Sequence, residues 1–209
     1  MKTFAIFVNS VLAGCMIGVG GTVFLSCDNK VAGALFFSLG LLTIVTRGFY
    51  LFTGKAGYAV EQPPAYMGFL AQVWLGNFVG TGLVGLAVRA TRVGGAIAEK
   101  SAALWQTKSA DSLLSIFILA VFCGLLMYLA VDGYKNASNE VAKVLMVLFC
   151  VIVFILSGFE HCIANMFYGW AALCWTPDAL LRLVVMTVGN LAGGVLVPLS
   201  KKVTVPHCN

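Results

Sequence analysis

Long apolar runs that are almost free of charge are the feature that most constrains this chain. Of its 209 residues, 60% are hydrophobic and only 10% are charged, whereas roughly a quarter of the residues in a soluble domain are charged. Runs of about 20 apolar residues are long enough to cross a bilayer. In lipid only helices and closed barrels satisfy their own backbone. The runs lack alternation at period two, so we predict an all-α membrane protein.

Hydropathy divides the chain into six predicted transmembrane helices within one integral membrane domain, residues 1–209. The first run contains Leu-Ala-Gly-Cys ending at Cys15, which is typical of a cleaved lipoprotein signal, but the run continues past it and favours a transmembrane helix. The stretch 89–111 is predicted to be a loop. The predicted spans are residues 3–26, 31–53, 66–88, 112–131, 143–168 and 179–200.

Two similar motifs indicate an internal duplication. The sequence is LGNFVGTG around Asn77 and VGNLAGG around Asn190, so each motif contains Gly-Asn-x-x-Gly. Each lies in the third span of its half, which predicts repeat halves of about 1–90 and 110–205. Three spans per half place the second copy upside down in the membrane. Such inverted repeats are typical of transporters and channels.

The same logic predicts that helices 2 and 5 are broken at matching places. RGFYLFTGKAGY interrupts the second span with Gly48, Gly54 and Gly57, and LSGFEHCIANMF interrupts the fifth around Gly158. A broken helix exposes amide and carbonyl groups that bind polar solutes inside the bilayer. Both interruptions also carry polar side chains into apolar sequence, so we expect the site there.

Away from the first few residues of each predicted span, three side chains of Arg, Glu or His type lie inside the spans, namely Arg47, Glu160 and His161. A charge is costly at the bilayer centre, so each is a candidate for function. Histidine's ordinary pKa near 6.5 suits His161 to a proton relay or hydrogen-bond donor. Glu160 would point about 100° away from His161 on a helix. We therefore expect Glu160 to be structural, either accepting hydrogen bonds from the broken-helix amides or pairing with Arg47; a proton-carrying Glu160 is the alternative.

Patterns of other functional classes are absent from the sequence. The seven cysteines show no CxxC or Cys/His spacing typical of metal sites, and we interpret those in apolar runs as buried thiols. Nucleophile patterns, nucleotide-binding loops and a basic stripe for nucleic acid are also missing. We expect no enzyme, no cofactor, no metal and no nucleic-acid partner. A membrane enzyme or quinone site built on His161 and Glu160, and a purely structural protein, are the weaker alternatives.

The sequence resembles the formate/nitrite transporter family over essentially its whole length. SGFEHCIANMF is similar to that family's signature, LFTG to its broken second helix, and GNFVG and GNLAGG to its third and sixth helices. The resemblance implies a six-helix, aquaporin-like protomer with its own pore and a homopentameric ring in the lipid bilayer. It implies that the pore passes small monovalent anions of weak acids, or the neutral acids, such as formate, nitrite, lactate and hydrosulfide. A neutral-solute channel for ammonia, urea or water is the alternative.

The resemblance also implies the site residues. His161 would be the central pore histidine, and Thr53 the threonine that faces it. Apolar constrictions around this centre would be formed by Phe37, Leu41, Leu51, Phe52 and Phe154. The vestibule and other polar positions would be Lys108, Asn190, Asn77 and Lys55.

Several residues depart from the family pattern. Gly124 replaces the usual fourth-helix asparagine, Tyr50 replaces an acidic residue before LFT, and Arg47 stands where small or apolar residues are usual. Together with Lys55 after the broken-helix glycine, these departures favour the hydrosulfide-type branch of the family. An even number of spans puts both termini on one side, and the basic tail favours the cytoplasm. We expect a bacterial inner (cell) membrane location.

Overall fold

The structure, a computed structural model, describes residues 2–204, and this part of the chain is helical without a strand. A 3-10 turn at Gly57–Glu61 follows the third helix. The helices are α1 (Lys2–Ser26), α2 (Lys30–Arg47), α3 (Phe52–Ala56), α4 (Tyr66–Arg89), α5 (Gly94–Ala110), α6 (Leu113–Asn136), α7 (Glu140–Leu156), α8 (Cys162–Ala172) and α9 (Pro177–Thr204).

Five of the described helices, α1, α2, α4, α6 and α9, are long and apolar enough to cross a membrane. The predicted fifth span, 143–168, is instead divided between α7 with 17 residues and α8 with 11 residues. A count of six spans therefore requires α7 and α8 to cross the membrane together. Large apolar side chains such as Phe36, Leu83, Leu114 and Phe149 are exposed on the outside, as expected where lipid is the solvent.

Both predicted interruptions are present. The chain leaves α2 through Gly48 and leaves α7 near Gly158, with φ angles of 71° and 70°. This left-handed conformation is available to glycine without steric cost, which explains why each helix ends at that place. Gly54 lies inside α3, and Gly57 begins the 3-10 turn, so of the three predicted glycines only Gly48 makes the break.

The loop predicted for residues 89–111 is wrong, because most of it forms α5. Its charged residues lower the hydropathy, but Ala, Glu, Lys and Leu are strong helix formers. Ile97, Ser101 and Trp105 are buried at a spacing of four, which is one face of a helix. This face packs on α8 and carries Lys108, three residues further along, towards the second interruption.

The left-handed backbone at Gly158 gives a direct test of the break. We expect Gly158→Ala to lower the free energy of unfolding by about 1 kcal/mol, because an L side chain is strained there. A Cβ at this position would meet nothing within 4 Å, so conformational strain alone is measured. Gly68→Ala is the matched control, since Gly68 in α4 is equally open and Ala favours helix. Thermal unfolding in detergent checks both variants; equal losses would contradict the assignment.

Candidate functional site

Asn77 in α4 holds the first interruption. Its Oδ1 accepts a hydrogen bond from the Phe52 amide at 2.8 Å. Its Nδ2 donates to the carbonyls of Ser10 and Tyr50 at 2.7 and 2.9 Å. The residue that precedes α3, Leu51, supplies no capping side chain, so Asn77 satisfies a free amide at the start of α3 from a different helix.

Asn190 in α9 holds the second interruption in the same way. Its Oδ1 accepts from the Cys162 amide at 2.8 Å. Its Nδ2 donates to the carbonyls of Ala120 and Glu160, both at 2.8 Å. Each asparagine thus ties the start of a short helix, the break before it and a neighbouring long helix together, with both donors and the acceptor in use.

The residues that hydrogen-bond to the two asparagines correspond at a constant spacing in the chain. The residue numbers differ by 110 between Phe52 and Cys162, and between Tyr50 and Glu160. The same spacing separates Gly48 from Gly158. At the position that matches Leu51 lies His161. The two interruptions therefore share a backbone frame but carry different side chains.

His161 and Thr53 meet where α3 and α8 begin. The Nε2 atom of His161 lies 2.9 Å from Thr53 Oγ1, and both side chains are buried. His161 Nδ1 accepts a hydrogen bond from the Ala164 amide at 3.1 Å and so caps α8. Because Nδ1 is an acceptor, this bonding assigns the proton of the neutral ring to Nε2, which donates to Thr53. The Thr53 hydroxyl proton is then free to donate to another acceptor.

A cavity of about 120 Å³ reaches His161 from one end of the bundle. It lies where α1 ends and α2 begins, since Phe24 and Lys30 line it. The lining residues that carry charge or polar groups are Lys30, Lys108, Glu160, His161, Asn165 and Tyr168. We call this space the histidine cavity.

Glu160 pairs with Lys108, so the predicted pair with Arg47 is wrong. Lys108 Nζ lies 2.7 Å from both carboxylate oxygens of Glu160, and the side chains are only 13% and 7% exposed. Arg47 is exposed at the far end of α2 from Lys30. Because 18 residues of helix span roughly 27 Å, α2 separates Arg47 from the histidine cavity.

Glu160 also lines the same cavity as His161, contrary to the predicted separation. The 100° rule holds on a helix, but His161 has extended backbone angles, φ −98° and ψ 109°, and precedes α8. The Glu160 carboxylate accepts hydrogen bonds from Lys108 Nζ and from Asn165 Nδ2, the latter at 2.7 Å. These side-chain groups are its partners, in place of the broken-helix amides that we had expected. Asn165 was missed as a site residue; among the described residues its Oδ1 has no hydrogen-bond partner.

Arg182 in α9 is a second missed residue. Its guanidinium donates to the carbonyls of Lys108, Ser109 and Asp111 at 2.7 to 2.8 Å. It is held in turn by Asp178 at 2.7 Å. Arg182 thereby caps the carboxyl end of α5 and fixes the backbone that carries Lys108. The signal in the sequence was the Asp-x-x-x-Arg spacing at the start of an apolar helix.

The predicted apolar constriction residues are all buried but do not lie together. The Phe154 ring stacks at 5.5 Å from the His161 ring, and Phe37 meets Phe154 edge-on at 5.8 Å. Phe52, in contrast, lines an apolar groove between α4 and α9. Leu51 lines a separate cavity at the other end of the bundle.

This other cavity has a volume of about 230 Å³ and lies where α2 ends. It contains Lys55, Lys135 and Lys143, so Lys55 and Lys108 do not share a vestibule. We call it the lysine cavity.

Comparison with known proteins is consistent across sequence and structure. The model of the family described as Formate/nitrite transporter matches residues 1–200. The chain is 28% identical to the nitrite transporter NirC of Salmonella typhimurium, with 91% of this chain and 79% of the relative covered. It is 27% identical to the formate channel FocA of Escherichia coli, with 94% and 83% covered.

Solved structures share the fold. A "Pentameric formate channel with formate bound" gives a TM-score of 0.79 at 27% identity, with 97% of each chain covered. An "FNT family ion channel" gives 0.83 at 24% identity, with 97% of this chain and 91% of that chain covered. Because the family model matches nearly the whole sequence, this integral membrane chain belongs to the formate/nitrite transporter family.

Proposed function

We propose that the chain passes small monovalent anions of weak acids, or the corresponding neutral acids, of the formate, nitrite or hydrosulfide class. The buried hydrogen bond between Thr53 and His161 carries the proposal, because it places a polar donor beside an apolar constriction. The names of the relatives NirC and FocA, a nitrite transporter and a formate channel, support this substrate class.

The histidine cavity favours anions. Lys30 and Lys108 line it, and Glu160 is the one carboxylate among its described lining residues, so its net charge is positive. A cleft with low-dielectric walls focuses such a field and raises the local anion concentration. A neutral-solute channel would gain nothing from this charge, and we therefore prefer an anion.

Beyond the lysines, the Phe154 ring is an apolar barrier to an anion. Its ring and that of Phe37 form an apolar contact beside His161. A bare anion loses its hydration there at high cost, whereas a neutral acid loses far less. We propose that the anion accepts a hydrogen bond from the Thr53 hydroxyl, takes up there a proton that reaches it from the bulk solution through water, and passes as the neutral acid.

His161 acts in this scheme as a neutral donor. A proton on Nδ1 would set two N–H groups against each other at the start of α8, because Nδ1 already accepts from Ala164. Keeping the proton on Nε2 preserves both this cap and the bond to Thr53. The free Oδ1 of Asn165 supplies an acceptor for the O–H or S–H group of the neutral acid.

For the architecture we propose two inverted halves, 1–90 and 110–205, in an aquaporin-like plan. Matching asparagine contacts support it, as do the two cavities at opposite ends of the bundle. Side chains at Gly14 and Gly124, also 110 positions apart, would overlap the backbone of Asn77 and Asn190 respectively.

For assembly and orientation we propose a homopentamer in a bacterial cell membrane with both termini cytoplasmic. The similar fold of a formate channel that is pentameric supports the pentamer. Gln72 binds the Thr3 carbonyl, and Lys202 binds the Val60 carbonyl in the 3-10 turn shortly before α4. The amino end of α1 and the carboxyl end of α9 therefore lie at the same end of the bundle. The lysine cavity opens at that end as well.

The two roles considered for His161 separate in a transport assay. We expect His161→Asn to slow formate uptake into proteoliposomes about tenfold, the equivalent of one hydrogen bond of about 1.4 kcal/mol, while stimulation by acid remains, because Thr53 loses the ring N–H that orients its hydroxyl. Abolished acid stimulation with a surviving anion current would instead assign His161 as the proton relay. Flux and current are measured on the same preparations at several pH values. His207→Asn, at the other histidine of the sequence, is the control. Unchanged flux with an unchanged pH profile in His161→Asn would remove His161 from the mechanism.

The buried ion pair gives a second test. We expect Lys108→Met to lower the free energy of unfolding by about 3–5 kcal/mol, because Glu160 keeps a buried charge without its cation, and to slow formate uptake. Lys100→Met is the control: Lys100 pairs with the exposed Asp28 at 3.8 Å and donates to the Leu25 carbonyl at 2.7 Å, and losing both should cost only about 1 kcal/mol. The double variant Lys108→Met/Glu160→Gln should recover stability but not uptake. Thermal unfolding and flux measure these effects; recovered uptake would contradict the anion-attracting role.

A further inference from the structure

We propose that the lysine cavity binds a doubly charged inorganic oxyanion, such as sulfate or hydrogen phosphate, and that this oxyanion slows transport from its side of the membrane. The cavity opens at the end of the bundle where α2 ends. The binding claim stands on the cavity itself, whereas the effect on transport rests on the proposed function.

Charge distinguishes this cavity from the histidine cavity. Lys55, Lys135 and Lys143 line it, and none of its described lining residues carries a carboxylate. In the histidine cavity two lysines are offset by Glu160. The attraction between charges scales with their product, so an anion of charge −2 gains about twice what a monovalent anion gains. Lysine ammonium groups suit phosphate and sulfate as compact point charges.

The three lysines keep their charge available to a ligand. Among the described residues Lys55 has no carboxylate partner, and its Nζ lies 5.1 Å above the Tyr50 ring. Lys135 donates to the Tyr58 hydroxyl at 3.2 Å and lies over that ring at 4.3 Å. Lys143 pairs with Glu140 at 2.6 Å, but that carboxylate is 82% exposed, so water screens the pair and it is worth little.

Tyr58 positions Lys135 from the 3-10 turn. Burial, and then the nearby Asp132 carboxylate, raise the pKa of Tyr58 well above its ordinary value of 10. The phenol therefore stays protonated, donates weakly to Asp132 Oδ1 at 3.5 Å and accepts from Lys135. Asp132 also meets Lys201 at 3.4 Å. The Asp132 carboxylate therefore interacts with Tyr58 and Lys201. Asp132 does not line the lysine cavity.

The cavity also reaches the first interruption. Leu51 and Gly54 line it, on either side of Phe52 and Thr53. Leu51 holds the position that His161 holds in the second half. An oxyanion beside Lys55 would therefore lie next to the start of α3, which carries Thr53. A volume of about 230 Å³ holds such an ion with several waters, and its double charge prevents it from crossing the apolar constriction.

Binding is tested with radiolabelled sulfate, whose charge does not change near neutral pH. Full-length protein in phospholipid-free detergent is dialysed against sulfate at low ionic strength. We expect saturable binding that falls about tenfold in each of Lys55→Met, Lys135→Met and Lys143→Met, a change of about 1.4 kcal/mol. Lys100→Met removes the same charge elsewhere and should bind as the parent, and Lys55→Arg should retain binding. No saturable binding, or equal affinity in all variants, would overturn the proposal.

Competition identifies the ligand class. Phosphate should displace sulfate, and formate should do so only at much higher concentration. Equal displacement by formate would overturn the preference for double charge. Displacement by added phosphatidylglycerol at low concentration would assign the site to a lipid headgroup and overturn the free oxyanion.

The effect on transport needs vesicles of known orientation. Sulfate on the side of the lysine cavity should slow formate flux, sulfate on the opposite side should not, and Lys55→Met should abolish the effect. Equal slowing from both sides would overturn the blocking claim. If sulfate binds but the parent protein carries no formate, nitrite or hydrosulfide, the proposed function fails and the binding site stands.

Discussion

Two helices that stop inside a hydrophobic environment must have their free backbone groups satisfied by the protein itself. In lipid no water compensates an unpaired amide or carbonyl, and each such group costs several kcal/mol. Asn77 and Asn190 meet this requirement, because each supplies one acceptor and two donors to an interruption and to a neighbouring helix. The positions of α3 and α8, and therefore of everything they carry, depend on these two amide side chains.

The polar centre follows from that arrangement. Once α3 and α8 are fixed, Thr53 and His161 lie within hydrogen-bond distance. His161 then has two structural tasks, since one ring nitrogen caps α8 and the other bonds Thr53. This double use explains how a histidine stays neutral and oriented beside Phe154. A neutral, oriented donor next to an apolar ring suits the proposed function, in which the substrate sheds its charge to pass.

The two ends of the bundle share a frame but differ in charge. At one end the negative charge of Glu160 partly offsets the lysines, and Glu160 forms an ion pair with Lys108. Arg182 donates a hydrogen bond to the Lys108 carbonyl. At the other end Lys55 and two further lysines face a cavity without a carboxylate in its described lining. The proposed duplication accounts for the common backbone, and the different side chains at matching positions give the two cavities different charge.

The sequence by itself determined the helical membrane class and both interruptions, at Gly48 and Gly158, and it marked His161 as a candidate site residue. These follow from hydropathy, from glycine's access to left-handed backbone and from the cost of a charge in lipid, all of which act locally along the chain. Only the tertiary structure decided that residues 94–110 form a helix and that Glu160 pairs with Lys108 instead of Arg47. An ion pair between residues 52 positions apart depends on which helices cross, and that is set by packing of the whole bundle.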